Sequence, residues 1–442
     1  MSAAVEGERS GRPPRPPGPR RSALVAWCLY DWANSAFPAV ILTFVFAAYF
    51  TQAVARTPVE GTAQWGIALT LSAFAIALIS PVIGAIADQG GRRKPWLLCF
   101  TVLAAFFISM LWYAKPEPAD ILWALVFLAL ANLAFEFSIV FYNAMLPDLT
   151  DERRMGRLSG WGWGLGYAGG LVCLVIALFG FVDTDTPLFG LDKETAEHVR
   201  AAAPLAALWY AVFAVPLFLF TPDRPKTGLG KAEAVRAGLK ALGATLRNVR
   251  RHKQIVRFLV ARMIYIDGLN TLFAFGGIYA AGVHGMDLTE VIYFGIALNA
   301  SAGVGAALFA WVDDWIGAKR TILIALGAII LIAAAIVLVE DKALFWTLGV
   351  MLGVFFGPAQ AASRSLMARL APSGMEAEMF GLYALSGKAT AFLGPALLAW
   401  ATTAFDSQRA GMATVLIFFI IGFVLLIPLK EPSPNAGNGA CR

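Results

Sequence analysis

Charge is the first thing that this sequence lacks. Only 14% of its 442 residues are Asp, Glu, Lys or Arg, whereas 59% are hydrophobic and the mean hydropathy is +0.68. An ordinary soluble domain carries about 25% charged residues. This chain has too few charges to cover the surface of a soluble protein of its length, so its composition excludes a soluble globular fold.

Histidine and cysteine are also scarce, which bears on metal and redox chemistry. The three histidines lie far from the four cysteines in sequence, so no metal-ligand spacing occurs, and the cysteines form no disulfide framework. The motifs of P-loop nucleotide binding, zinc proteolysis and serine hydrolysis are missing as well. We therefore expect no enzyme activity, no metal and no other cofactor.

What the sequence does contain is a series of apolar runs. Twelve runs of roughly 20 residues are each long enough to cross a hydrocarbon core of about 30 Å as a helix. An even number of spans places both termini on one side of the membrane. The predicted spans are residues 23–52, 63–87, 95–114, 120–145, 158–182, 204–221, 256–283, 289–311, 320–339, 343–368, 378–402 and 409–429.

Lys and Arg are concentrated on one side of this predicted topology. The termini and the loops on their side hold 27 of the 35 basic residues, whereas the loops on the other side hold six. Because basic loops stay cytoplasmic, both termini of this multi-pass protein are expected in the cytoplasm, and the membrane is expected to be the cell (inner) membrane. Orientation explains the net charge of +6 better than nucleic-acid binding does, so no nucleic-acid partner is expected.

The segments outside the spans predict two bundles, a linker and two cytoplasmic tails. Residues 1–22 are rich in proline and arginine and should be disordered, and residues 431–442 form the second tail. Residues 222–255 connect a bundle at 23–221 to a bundle at 256–430. Apolar residues recur there at steps of three and four among basic ones: Val235, Leu239, Leu242, Leu246 and Val249. This pattern predicts a basic amphipathic helix on the membrane surface, and a plain linker without a regulatory role is the alternative.

The second half of the sequence is a degenerate copy of the first. Asp31, Asn34, Ser35 and Phe37 recur 236 residues later as Asp267, Asn270, Thr271 and Phe273. At an offset of 225, Asp88, Pro147, Gly156 and Gly169 recur as Asp313, Pro372, Gly381 and Gly394. Because each copy holds six spans, the copies share one orientation and are related by an axis along the membrane normal. The predicted fold is an all-α membrane protein of twelve transmembrane helices in two pseudo-symmetric six-helix bundles around a midplane site.

The loop after the second span resembles the loop signature of the major facilitator superfamily. It reads Gly84, three residues, Asp88, then Gly91 and two bases, although Gln89 stands where a base is usual. The resemblance implies a gate, since an acid at a helix end can pair across the bundle interface in one conformation and release in another. A plain positive-inside loop would explain the bases but neither the acid nor the glycine spacing. The candidate gate residues are Gly84, Asp88, Gly91, Arg92, Arg93 and, in the second copy, Asp313.

Residues 30–37, Tyr-Asp-Trp-Ala-Asn-Ser-Ala-Phe, look like the opening signature of the vacuole-effluxer-like branch of that superfamily, also called the unknown major facilitator family. Similar patches lie at residues 141–147, 265–268, 363–365, 380–383 and 387–388. The resemblance implies a monomeric secondary transporter, a permease or effluxer of a small solute working by alternating access. Amino acids are its candidate cargo and protons its candidate driving ion. The alternative is a sensor or scaffold of the same fold that does not transport.

Five charges fall inside predicted spans: Asp31, Glu136, Arg262, Asp267 and Lys388. A charge at a helix centre costs roughly 2.5–3.5 kcal/mol, so such groups usually face an interior or a watery path. The resemblance puts spans 1, 4, 7 and 10 around a central cavity. The candidate substrate or coupling residues are therefore Asp31, Asn34, Asn132, Glu136, Asn143, Asp267, Asn270, Gln360, Ser363 and Lys388. Interhelical hydrogen bonds and fixed ion pairs are the structural alternative.

These charges also suggest a proton site. Three carboxylates share the spans with two bases, so one carboxylate is left over if each base pairs with one acid. A buried carboxylate without a partner tends to take up a proton. Glu136 is the first candidate, with Asp31 and Asp267 as alternatives, and Arg364 near the end of span 10 is a possible third base.

Overall fold

The computed structural model describes residues 20–184, 186–248 and 252–431. In these ranges the chain is helical without strands, and twelve helices are long and apolar enough to cross a membrane, which confirms the predicted fold. We label them α1 to α12: Arg21–Val54, Pro58–Gly90, Lys94–Tyr113, Pro118–Leu149, Met155–Val182, Glu197–Phe220, Lys253–His284, Thr289–Ile316, Ala318–Leu338, Lys342–Leu370, Glu376–Ala404 and Gln408–Leu426.

The first and last helices of the first bundle begin earlier than the sequence predicted. Helix α1 begins at Arg21, inside the predicted tail; the rest of that tail and residues 432–442 lie outside the described residues. Helix α6 begins at Glu197, seven residues before the predicted span. Arg200, expected in a loop, is a buried residue of α6 that donates to the Trp112 carbonyl at 2.9 Å. This bond and an ion pair with Glu197 at 4.0 Å partly compensate the buried charge, which allows the helix to start earlier than hydropathy indicates.

Aromatic side chains and hydroxyls fill the core of the first bundle. Tyr30 of α1 stacks on Tyr142 of α4, with ring centroids 4.8 Å apart. The Tyr30 hydroxyl lies 2.6 Å from Thr101 Oγ1 of α3 and 2.9 Å from the Tyr210 hydroxyl of α6. Because these buried hydroxyls satisfy one another, the core joins four helices without leaving their polar atoms unpaired.

Glycines matched in the internal repeat occupy equivalent places in the two halves. Gly169 of α5 packs directly on the backbone of Trp32 in α1, and Gly394 of α11 packs on Thr271 of α7. A side chain at either position would overlap its neighbour. Small residues let helices approach this closely in a membrane, so the repeat in the sequence corresponds to a repeat in the packing.

The two halves, α1–α6 and α7–α12, meet at the end of the molecule that carries both described chain ends and the linker. We call this end the terminal face. There α2 packs against α11 and α5 packs against α8. In the linker, the predicted amphipathic helix is present at Lys231–Arg247, and Val249 lies outside the described residues. We call this element the linker helix.

Candidate functional site

The contact between α2 and α11 is made by two of the predicted gate residues. The Asp88 carboxylate accepts the backbone N–H groups of Ala377 at 3.1 Å and Glu378 at 2.8 Å, in the first turn of α11. These amides have no partner within their own helix, and the helix dipole favours a negative charge beside them. One turn deeper, Gly84 lies so close to the backbone of Ala377 that a Cβ atom would overlap it. Both residues therefore contact the opposite half directly.

Arg93 connects these two helices through a buried guanidinium group. Its Nη2 atom lies 3.2 Å from Asp88 and 2.7 Å from Glu376, and its Nη1 atom lies 2.7 Å from Asp148. Its side chain is only 1% exposed. The planar group with several donors suits such a shared site, because it binds three carboxylates from α2, α4 and α11 at once.

The remaining residues of the loop act within the first half. Gly91 has a φ of +81°, and a Cβ atom there would overlap the Pro225 carbonyl, so the turn requires glycine. Arg92 is half exposed and pairs at 3.3 Å with Asp223 of the linker. Arg92 therefore holds the linker and does not bridge the halves.

Arg224 of the linker adds a second guanidinium group to this cluster. It donates to both oxygens of Asp148, with the closest contact at 2.5 Å, and to both oxygens of Glu376 at 2.8 and 2.9 Å. Partial burial opposes the charged form, but the hydrogen bonds that Arg224 donates to Glu376 and Asp148 outweigh it and raise the pKa of Arg224. The linker is thus part of the contact between the halves.

On the other side of the interface, the candidate gate residue Asp313 and its neighbour Asp314 bond to different halves. Asp313 bonds within its own half, to Arg369 at 2.6 Å and to the Ser365 hydroxyl. The bonds to the first half come from Asp314, which accepts the Gly156 amide at 2.8 Å and the Arg157 side chain at 2.6 Å. Adjacent residues point about 100° apart on a helix, so these two neighbouring carboxylates reach different partners.

Deeper in the interface, Asp31 of α1 pairs with Arg364 of α10 at 2.8 Å. Arg364 also donates to the Ser159 hydroxyl at 2.9 Å and to the Ser159 carbonyl at 2.6 Å. Its guanidinium carbon lies 4.8 Å from the centre of the Trp27 ring. Both side chains are almost fully buried and hydrogen-bonded. The pair of Asp31 and Arg364 therefore has the geometry of a fixed ion pair, which was the alternative to a substrate or coupling role.

A further ion pair between the halves joins Glu136 of α4 to Lys388 of α11, with 2.6 Å between Oε1 and Nζ. Unlike Asp31 and Arg364, these side chains are partly exposed, by 18% for Glu136 and 28% for Lys388. Lys388 lies twelve residues after Glu376, about 18 Å further from the terminal face along a straight helix. This pair is therefore remote from the gate and more exposed than the pair of Asp31 and Arg364.

Asp267 of α7 is the interior carboxylate without a basic partner in the described part of the chain. Helix α11 is interrupted between Lys388 and Leu393, and Asp267 accepts the backbone N–H of Gly394 at 3.2 Å where the helix resumes. Asp267 is 1% exposed, and its second oxygen, like the buried Thr271 hydroxyl, has no hydrogen-bond partner. In this conformation the leftover acid is thus Asp267, whereas the first candidate, Glu136, is paired.

Arg262, the other base predicted inside the spans, does not reach Asp267. Its guanidinium carbon lies 3.4 Å from the centre of the Tyr383 ring, and it donates to the Tyr383 carbonyl and the Ser386 hydroxyl, both at 2.8 Å. Hydrogen bonds and an aromatic face therefore stabilise this charge in place of a carboxylate.

A comparison with known families identifies the family of this chain. The profile described as "Vacuole effluxer Atg22 like" matches residues 19–156 and 150–433, which is nearly all of the chain. The chain belongs to this Atg22-like family. It is therefore a multi-pass membrane transporter of the major facilitator superfamily, as the sequence resemblance indicated.

Individual relatives and structures are consistent with this family. The "Uncharacterized MFS-type transporter YxiO" of Bacillus subtilis is 27% identical over 409 residues, covering 92% of this chain and 94% of the relative. Autophagy-related protein 22-1 of Penicillium rubens is 26% identical over 63% of this chain, which spans about half, 50%, of the fungal protein. The fold resembles the proton:xylose symporter XylE, with a TM-score of 0.71 at 12% identity and coverage of 93% and 96% of the two chains. It also resembles FucP in its outward conformation, with a TM-score of 0.67 at 13% identity and coverage of 93% and 99%.

Two polar candidates of this Atg22-like chain bond to neighbouring helices of their own half. Asn132 of α4 donates to the Ser72 hydroxyl of α2 at 2.7 Å. The Ser363 hydroxyl of α10 lies 2.7 Å from the Tyr265 hydroxyl of α7 and is fully buried. The structure does not bring either side chain to the Glu136 pair, and both have the geometry of interhelical hydrogen bonds.

The other polar candidates differ in exposure. Asn34 and Asn143 are buried, and each has one side-chain atom without a hydrogen-bond partner. Asn270 is exposed, although its repeat counterpart Asn34 is not. Gln360 donates to the Tyr167 hydroxyl of the opposite half at 3.4 Å. Gln360 thus makes a polar contact between the halves away from the terminal face, as the Glu136 pair does.

Several residues of the interface were not among the candidate substrate, coupling or gate residues, although Arg364 was named as a possible base. Arg364 and Asp148 lie within or directly after patches that carry the family resemblance, so proximity to those patches was a usable signal. Arg224, Asp314 and Glu376 lie in loops or at helix ends rich in charge, where sequence pattern does not distinguish a partner across the interface from a solvated residue.

Proposed function

We propose that this chain is a secondary transporter that moves a small solute by alternating access, and that the structure is the state closed at the terminal face. The supporting observation is the distribution of contacts between the halves. In the described part of the chain, hydrogen bonds and ion pairs between the halves concentrate around Asp88, Asp314 and Arg364, on the terminal side of the Glu136 pair. A carrier closed on one side needs this asymmetry.

The excess of Lys and Arg supports a cytoplasmic terminal face, and the structure would then be the outward-facing state of a cell-membrane protein. Reporter fusions after residue 225 in the linker and after residue 190 between α5 and α6 test this orientation. The first reporter should be active in the cytoplasm and the second outside it. Activity of both in one compartment would contradict the twelve-span topology, and a reversed pattern would contradict the orientation.

The Glu136 and Lys388 pair is the best candidate for the solute site. Its two opposite charges belong to different halves and are partly exposed. A zwitterion such as an amino acid would place its ammonium group on Glu136 and its carboxylate on Lys388, in place of the existing pair. Solute would then replace a direct contact between the halves, which couples occupancy to their movement.

Asp267 is the best candidate for the coupling proton. It is buried, has no basic partner, and binds the backbone where α11 resumes after its interruption. Burial favours the neutral acid, and access to water favours its ionised form. A proton gradient would therefore bias the position of the second part of α11, which lies in the same helix as Lys388.

Flux in proteoliposomes tests both assignments. A mixture of labelled amino acids on one side and a pH gradient across the membrane should give solute movement, whereas binding without flux would favour the sensor or scaffold. Glu136→Gln and Lys388→Gln should each weaken binding of a zwitterion. Asp267→Asn should keep solute exchange and lose the response to pH. Retained pH dependence in Asp267→Asn would contradict its coupling role.

A further inference from the structure

We propose that the linker helix binds an anionic membrane surface and that this contact stabilises the closed terminal face. The proposal concerns the linker and does not depend on which solute is carried; its second part rests on the proposed alternating access.

The linker is attached to the closed face before the linker helix begins. Arg224 bridges Asp148 of the first half and Glu376 of the second, as described above. Three residues later, the Thr227 hydroxyl donates to the Gln89 carbonyl at 2.5 Å, at the end of α2. A movement of α2 away from α11 would therefore break linker contacts as well as those of Asp88.

The linker helix itself lies against α2 through small residues. Gly238 is so close to Ile86 that a Cβ atom would lie 2.7 Å from its Cα atom. Ala234 and Thr245 are buried on the same face. Small residues such as alanine and glycine allow close helix packing, so the linker helix is held directly against α2 at Gly238.

The apolar residues that predicted the linker helix do not form this contact. Val235, Leu239 and Leu246 are 40%, 50% and 56% exposed. At about 100° per residue, they form a ridge roughly a quarter turn around the helix from Gly238. Three large apolar side chains on one exposed ridge of a short helix need a partner other than water.

Basic residues flank the ridge on the side away from α2. These bases lie about 100° further around the helix than the ridge, and they are Arg236, Lys240 and Arg247. All three are exposed, and none forms an ion pair in the described part of the chain. An apolar ridge bordered by bases is the pattern of a helix lying in the interface of an anionic membrane. The helix also packs on Ile86, four residues from the end of a membrane-spanning helix, which puts it at the level of the membrane surface.

Fluorescence quenching tests the membrane contact in the full chain. With the native cysteines replaced by alanine, a bimane label at Leu239→Cys is compared with one at the exposed Ala244, on the opposite side of the linker helix. In vesicles of brominated phosphatidylcholine with phosphatidylglycerol, the label at 239 should be quenched several-fold more. Equal quenching, or protection of residue 239 by a copurifying protein, would overturn the proposal.

The effect on the gate is measured with the triple variant Arg236→Gln, Lys240→Gln and Arg247→Gln. Spin labels at residues 152 and 373, on opposite halves of the terminal face, report its opening. Each base near an anionic surface contributes about fivefold to binding. The triple variant should therefore lower the ratio of closed to open molecules at least a few-fold with phosphatidylglycerol, and not with phosphatidylcholine alone. The matched control removes three exposed bases from the opposite end: Arg56→Gln, Lys115→Gln and Lys193→Gln.

Asp88→Asn separates failure of this proposal from failure of alternating access. If Asp88→Asn lengthens the distance between the labels but the triple variant behaves as its control, the stabilising role of the lipid contact is wrong while alternating access stands. If Asp88→Asn and the triple variant both leave the distance unchanged, opening of the terminal face is itself contradicted, and the second part of the proposal fails with it.

Discussion

At the scale of single residues, the buried Asp31 and Arg364 pair allows a direct test. Removing one partner of a buried ion pair leaves the other uncompensated and costs about 3–5 kcal/mol. Arg364→Gln and Asp31→Asn should therefore each lower the Tm of the purified protein strongly. The double variant should lose much less than the sum of the two, because it leaves no buried charge unpaired. Arg92→Gln is the control, since its ion pair is half exposed and contributes at most about 1 kcal/mol.

Equal losses for the double variant and for the sum of the single variants would show that the two residues act independently.

The sequence predicted that Asp31 lies in the interior, because a charge in an apolar run is conspicuous. It named Arg364 only as a possible base and did not pair the two residues. Partners from different halves depend on how the halves meet, and a hydropathy pattern within one helix carries no information about that.

At the scale of helices, the approach of α2 to α11 depends on glycines that lack a side chain, and Gly84 is one of them. A methyl group at Gly84 would overlap the backbone of Ala377, whereas Gly66 of the same helix has nothing within 4 Å. Gly84→Ala should force the helices apart, shift the terminal face towards open and raise maleimide labelling of a cysteine at residue 377. Gly66→Ala should leave the labelling unchanged. Equal labelling of the two variants would mean that the contact between α2 and α11 does not keep the face closed.

The helices were the most predictable part of the molecule. All twelve spans were expected, because runs of about 20 apolar residues have few alternatives in a membrane. The observed helix limits differ from the predicted ones where a buried base finds a partner, as at Arg200, and the sequence did not distinguish the partners of Asp313 from those of Asp314. The linker helix was expected from its apolar period, but its contact with α2 uses Gly238 and its small neighbours, which hydropathy does not register.

At the scale of the whole molecule, the terminal face is held by two related contacts on opposite sides of the interface. Asp88 of the first half accepts amides at the start of α11, and Asp314 of the second half accepts an amide at the start of α5. Each contact brings together a carboxylate, the N-terminus of a helix from the other half and a nearby arginine. The pseudo-symmetry of the sequence is thus also a pseudo-symmetry of the closure, and the two contacts should contribute separately to the free energy of the closed state.

The last prediction follows from this pair of contacts. A carboxylate at a helix N-terminus contributes from about 0.3 to 2 kcal/mol, and losing its ion pair adds to this. Asp88→Asn and Asp314→Asn should each lower the ratio of closed to open molecules by roughly tenfold, since 1.4 kcal/mol corresponds to a factor of ten. The double variant should lower it by roughly a hundredfold, because the contacts share no residue. Distances between spin labels at residues 152 and 373 measure the ratio.

Asp313→Asn is the matched control, because it removes the same charge one residue away. The ion-pair and hydrogen-bond partners of Asp313 lie within its own half, so this variant should leave the ratio unchanged. A shift for Asp313→Asn equal to that for Asp314→Asn would show that loss of negative charge, and not the contact with α5, opens the face.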